Sequence, residues 1–308
     1  MRNKYLDKQT ASDIDQQVSK ILRGLGNPEP PLNLEEVRTL LELDREYYSS
    51  VDDGALREFV SRARIAGKQM LTRPMLILDM VRKWDLKALY LPDRKRILID
   101  SSQPQKKWRW FEGHETIHSV IPWHEVLMHG DTIHSLSPAC HEQIEAEANY
   151  GAGRLLFLQE KFDSVAKGSQ ISFDLAKTIN HDFQNTMTST LWRLVESADI
   201  PALGVVSQHP RRTDENFDPK NPCRYFIRSR KFEERFSAIS ELEIFAFMRR
   251  NCSSQRGGPI GSADLVLSDD RGEEHLFHFE AFHIKYETLA SFTYLRPHPT
   301  VLGLGRAA

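Results

Sequence analysis

Cysteine is scarce in this chain. Its three cysteines, Cys140, Cys223 and Cys252, are odd in number and far apart among 308 residues. That excludes a disulfide framework and a cysteine metal knuckle. No apolar run approaches the length of a membrane span, and the opening segment MRNKYLDKQTASDIDQQ has no apolar core of a secretion signal. The expectation is a soluble chain in a reducing, cytoplasmic setting. An excess of positive charge is missing too. The 41 Lys and Arg face 43 Asp and Glu, for a formal net charge of −2 and a pI of about 6.6, so there is no global basic signal for nucleic acid. Basic residues do gather between Arg211 and Arg235. Asp214, Glu215, Asp218, Glu233 and Glu234 lie among them, as on a solvated mixed surface. The chain shows no internal repeat and no low-complexity tract.

What is present is ordinary for a globular protein. A hydrophobic content of 40% over this length supports two domains or one large one. Residues 12–46 read as helical, with Asn33 as an N-cap and Glu36 three residues on. Helical character continues over 55–83, interrupted at Pro74. ALYLPDRKRILIDSS then switches to two short strands or a hairpin. Helices are expected over 105–120, from Ser137-Pro138 through EQIEAEANYGAGRLLFL, and twice within 171–198. After Pro201 the texture changes to strands at GVVS, RYFIR and ADLVLS, a DDRG turn and the returning strand EHLFHFEAF, with a helix at AISELEIFAFMRR.

The stretch that carries chemistry is FEGHETIHSVIPWHEVLMHG, residues 111–130, which contains H-E-x-x-H as His114-Glu115-Thr116-Ile117-His118. On a helix, positions i and i+4 share a face, so both histidines can direct a ring nitrogen at one metal about 2.0–2.1 Å away. Glu115 can then serve as the base that takes a proton from water. The motif is short enough to arise by chance, and a catalytic site needs a third ligand. His124 has the spacing of the extended pattern, but Ile121 stands where that pattern turns on glycine. Glu145 lies on the following helix, in EAEAN, where Ala148, Gly151, Ala152 and Gly153 suggest close helix packing. Glu145 is favoured. Of the competing carboxylates, Glu142 shares its face, while Glu147 is turned about 200° away and is expected to be solvated. His124, His129 and His134 sit in the long connection from Ser119 to Leu136, a lid or a polar loop.

At this point the chain resembles the ImmA/IrrE family of metallopeptidases over about residues 28–160. NLEEVRTLLELD, ALYLPDRKRILIDSSQPQKKWRWFEGHETIH and EAEANYGAGRLLF occur in the family's order. Ile117 stands where many members have glycine, and Phe157-Leu158-Gln159 replaces a usual Met-Pro ending. The resemblance implies His114, His118 and Glu145 as zinc ligands and Glu115 as general base. It implies a zincin-like core, with RILIDS as an edge strand onto which an extended peptide could add. It also implies cleavage of helix-turn-helix repressors of mobile elements or stress genes. Some members end in a GAF-like sensor domain.

The expectation is thus an α+β protein. Residues 1–165 would form N-terminal helices and a mainly helical zincin-like core with a small edge sheet; residues 166–200 a helical, helix-turn-helix-like segment; and residues 201–308 an α+β regulatory or substrate-recognition domain. The expected activity is zinc-dependent endopeptidase action on a regulatory protein. The alternative is a non-catalytic module that keeps the fold and binds a repressor or antitoxin. The segment 171–198 has few basic residues, Lys177 and Arg193 among them, so direct nucleic-acid binding is not expected. No feature sets an oligomeric state.

Overall fold

A computed structural model describes residues 2–48, 88–91, 95–124 and 138–298. The helical stretch expected over 55–83, Ser137, and His129 and His134 lie outside these residues. Contacts divide the chain into two compact units. One comprises Leu6–Lys161 and Asp182–Thr186; the other comprises Met1–Tyr5, Phe162–His181 and Met187–Ala308. Both mix helix and strand. Among the described residues, no helix is long and apolar enough to cross a membrane.

In the first unit, α1 (Lys8–Gly24) starts at Asp7, whose carboxylate accepts from the Thr10 amide at 2.9 Å. Its buried stripe is Ile14, Val18, Ile21 and Leu22. Helix α2 (Leu34–Leu41) is capped by Asn33 as expected. The cap is not a full capping box: the Asn33 oxygen takes the Glu35 amide, and its amide donates to the Glu36 carboxylate at 2.9 Å. Helical reading fails at 44–46, because β1 (Asp44–Tyr48) follows at once. Strands β2 (Ala88–Leu91) and β3 (Arg96–Asp100) pair antiparallel, and β1 pairs with β3 in parallel.

That order, β1-β3-β2, corrects one expectation. RILIDS does not form an edge strand; it is the central strand of the three, and Ile97, Leu98 and Ile99 are buried. An all-apolar run of this kind marks a strand covered on both faces. Helix α3 (Gln105–Val120) carries the H-E-x-x-H motif, and α4 (Pro138–Leu156) carries EAEAN.

In the second unit, most of α5 (Glu160–Ala166) and of α6 (Phe173–Phe183), then α7 (Met187–Glu196), precede β4 (Ala202–Ser207) and β5 (Cys223–Arg228). Then come α8 (Arg230–Arg235), α9 (Glu241–Asn251) and three long strands, β6 (Gly258–Ser268), β7 (Glu274–Ile284) and β8 (Glu287–Pro297). They form an antiparallel sheet in the order β5-β4-β8-β7-β6. The alternation of EHLFHFEAF is realised: Phe277, Phe279 and Ala281 point inward, where they meet Phe232 and Phe236 of α8 and Ile244, Phe245 and Met248 of α9. A capping box at Ser240 and Glu243 starts α9. The helical segment expected at 166–200 falls largely in this unit.

Candidate metal centre

The site begins with two helices that approach closely. A Cβ placed on Gly151 of α4 would lie 2.6 Å from Ile117 Cγ2 of α3, and one on Gly113 would lie 2.9 Å from Leu156 Cδ1. Small residues therefore let α3 and α4 pack backbone to side chain, as the Ala and Gly pattern suggested. Ile117, the residue where the resembled family often has glycine, fits because the facing helix supplies a glycine of its own. Just before Gly113 on α3, the buried Glu112 anchors the helix. One of its oxygens is bound by Arg38 of α2, and the other by Arg45 of β1 at 2.8 Å.

This packing brings His114, His118 and Glu145 together. The two Nε2 atoms are 3.1 Å apart, Glu145 Oε2 is 3.2 Å from His114 Nε2, and Glu145 Oε1 is 3.7 Å from His118 Nε2. The three donors form a group that could hold one metal ion. Tetrahedral zinc with bonds of about 2.0–2.1 Å sets ligand atoms about 3.3 Å apart, so two imidazoles and one carboxylate at these separations fit the ion. Burial, with the charge of His114 nearby, pushes the His118 pKa well below the ordinary value. At His114, burial acts downward but is outweighed by the hydrogen bond and charge of Glu145, and the pKa is raised. At Glu145, burial acts upward but is outweighed by His114 and His118, and the pKa is lowered.

Glu115 is buried beside this group. Burial pushes its carboxyl up to about 7; the His114 charge opposes the rise and Glu145 adds to it. The same carboxylate takes a hydrogen bond from the Tyr90 backbone, so β2 lies alongside the base.

His124 is not placed as a ligand. The chain leaves α3 at Ile121 in extended conformation, φ −89°, and residues 122–124 form a helical turn. That turn carries the buried His124 to the far side of His118, with Nδ1 2.9 Å from His118 Nδ1. Glu147 overturns its expected solvation. It is buried because the 122–124 turn covers that side of α4, and its carboxylate accepts from Trp123 Nε1 at 2.6 Å and Gln143 Nε2 at 2.7 Å and sits 2.9 Å from His124 Nε2. Asn149 hydrogen-bonds the His114 ring. Its signal was the Glu145-x-x-x-Asn149 spacing, one helical turn on the same face. His141, one turn before Glu145 on that face, is close enough to act on the charges of His118 and Glu145.

A second group, Asp269, Glu273 and His275 in the β6–β7 hairpin, also brings potential ligands together. There Arg235 Nη2 lies 3.2 Å from Asp269 Oδ2 and 3.1 Å from His275 Nε2. The guanidinium already supplies the positive charge between these two groups, so the arrangement is that of a structural ion cluster.

No protein-family model matches the chain, and no curated protein matches its sequence. Among solved structures, a Mycobacterium tuberculosis transcriptional regulator is similar with a TM-score of 0.49 and 12% identity, over 92% of this chain and 76% of that one.

Proposed function

We propose that this chain is a zinc-dependent endopeptidase that cleaves a regulatory protein. The favoured substrate class is helix-turn-helix transcriptional repressors of stress or mobile-element genes. The observation that carries the reading is the convergence of His114, His118 and Glu145 with the buried Glu115 beside them. The resemblance to ImmA/IrrE metallopeptidases supplies the substrate class and a zincin-like assignment of the core.

His114, His118 and Glu145 would hold the ion, a set of two histidines and one glutamate suited to hydrolysis. A zinc ion held there supplies Lewis acidity for a substrate carbonyl and for the attacking water. The Glu115 carboxylate, buried beside the ligands, receives the water proton as general base. Residues 201–308, with their five-stranded sheet, would act as the regulatory or substrate-recognition part, in the manner of a GAF-like sensor.

The test uses the full chain. Purified protein should contain about one zinc per molecule and should cut a candidate repressor into fragments identifiable by mass spectrometry. Glu115→Gln keeps the size of the side chain but cannot take the proton. It should lower cleavage roughly 10²–10⁴-fold with zinc content unchanged, whereas Glu145→Ala should lose the metal. Cleavage by Glu115→Gln at the wild-type rate would sink the assignment. Tight repressor binding by the wild type without any cleavage would favour the non-catalytic module.

A further inference from the structure

His118 is held from behind by a chain of side chains that no part of the ligand set requires. His124 Nδ1 lies 2.9 Å from His118 Nδ1, and His124 Nε2 lies 2.9 Å from Glu147 Oε2. His124 and Glu147 are both buried. The chain is placed by the turn Ile121-Pro122-Trp123-His124. Ile121 ends α3, the His124 amide bonds back to the Ile121 carbonyl at 3.0 Å, and the intervening Trp123 donates its indole N–H to the same carboxylate oxygen that faces His124. Gln143, one turn before Glu147 on α4, donates to the other oxygen at 2.7 Å.

Proton accounting gives this chain a direction. Two ring nitrogens 2.9 Å apart attract each other only if one carries a proton and the other does not. Trp123 Nε1 is a donor only, and it and the Gln143 amide fill both carboxylate oxygens of Glu147 as acceptors. The nitrogen facing that carboxylate, His124 Nε2, therefore carries the proton. With His124 Nε2 turned to the carboxylate, His124 Nδ1 is the acceptor between the two rings, and the proton there belongs to His118 Nδ1. The remaining nitrogen of His118, Nε2, is left with its lone pair toward His114 and Glu145.

We propose that His124 and Glu147 are positioning residues: with Trp123 and Gln143 fixing the carboxylate, they lock His118 in the Nδ1–H tautomer and aim its Nε2 lone pair at the cation. The inference rests on the metal-site reading above and deepens it. The spacing that makes His124 resemble a third ligand instead puts it behind the second one. Such outer hydrogen bonds typically change metal affinity by about 10- to 100-fold.

The experiment has two arms on the full-length chain. In the first, long-range proton–nitrogen spectra of metal-free protein with nitrogen-labelled histidine report each ring's tautomer. The expected result is His118 protonated at Nδ1 and His124 at Nε2, and a His118 protonated at Nε2 would overturn the proposal. In the second, zinc affinity is read by competition with a chromophoric chelator. Glu147→Gln and His124→Asn should each weaken zinc by about 10- to 100-fold, with Glu147→Gln shifting the tautomer balance of His124. Glu147→Asp should recover part of the affinity, which a merely space-filling role would not explain. Wild-type zinc affinity in both folded variants would overturn the proposal. A wild-type chain that takes up no zinc would instead refute the metal-site reading, while the first arm still decides the tautomer.

Discussion

Asp269 closes the β6–β7 hairpin through one side chain. Its Oδ1 accepts the Arg271 and Glu273 amides at 2.9 and 3.0 Å, and its Oδ2 meets Arg235 and His275. Burial alone would raise this carboxyl, but those two amides, Arg235 and His275 outweigh it, and the pKa falls below the ordinary 3.8. A carboxyl depressed in the folded state stabilises the fold above its unfolded pKa and loses that contribution as pH drops. The stabilisation from Asp269 is thus fully present above about pH 5 and declines through and below about 3.8. Asp269→Asn should unfold at lower urea than wild type at pH 7, and the gap between their midpoints should shrink steadily toward pH 3. A gap independent of pH would show that the carboxylate's ionisation contributes nothing. Residue by residue, the shared face of His114 and His118 was legible in the sequence because helical spacing is a local property, while Glu145, on another helix, was favoured only through the small residues that let the two helices approach. The places of His124 and Glu147 were not legible, since they depend on a turn after α3 that covers one side of α4, and no local rule announces which face a neighbouring turn will cover.

At the scale of elements, the tightest point of the α3–α4 contact is Gly151 against Ile117. Gly151→Ala would ordinarily gain about 1 kcal/mol in helix propensity. Here the new methyl would meet Ile117 Cγ2 at 2.6 Å and Ile14 Cγ2 at 3.1 Å, a clash that forces backbone movement. The expected net result is destabilisation of about 1–3 kcal/mol in chemical denaturation, with weakened zinc binding because Glu145 moves with α4. Ile117→Ala alone should cost about 2–5 kcal/mol, and the double variant should be less destabilised than the sum of the two. Strict additivity would show that the helices do not meet at this pair. Periodicity revealed most helices and the alternating β7, whose two faces differ in burial. It did not reveal β8, which is buried along most of its length and so does not alternate. Nor did it set the order of β1, β2 and β3, because parallel pairing joins residues remote in sequence.

Over the whole chain, the change of texture at residue 201 is not where contacts part. The unit that holds the five-stranded sheet also takes residues 162–181, residues 187–200 and the first five residues of the chain. Asn3 bonds the Arg228 backbone in both directions at 2.9 Å, and the Tyr5 hydroxyl donates to the Arg228 carbonyl at 2.9 Å. Leu191, Leu194 and Val195 of α7 are buried, and a Cβ on Gly204 of β4 would lie 3.0 Å from Val195 Cγ2, so α7 lies directly on the sheet. A fragment of residues 201–308 loses these three side chains as cover. Each such burial contributes about 1.5–3 kcal/mol, and the sum is comparable with the roughly 5–15 kcal/mol that holds a whole domain. This fragment should therefore melt broadly and bind a hydrophobic dye, whereas residues 162–308, which retain α7, should melt cooperatively. Equal, sharp melting of the two fragments would mean that α7 adds nothing to the sheet. The same reasoning governs any test of a regulatory role for the C-terminal part. A cut at 201 leaves α7 on the N-terminal fragment with its apolar face bare. Loss of the proposed activity there would then report exposure of α7 as much as loss of control, and a cut near residue 161 should give the cleaner comparison, provided Asp182–Thr186, which belong to the first unit, are restored by a short fusion.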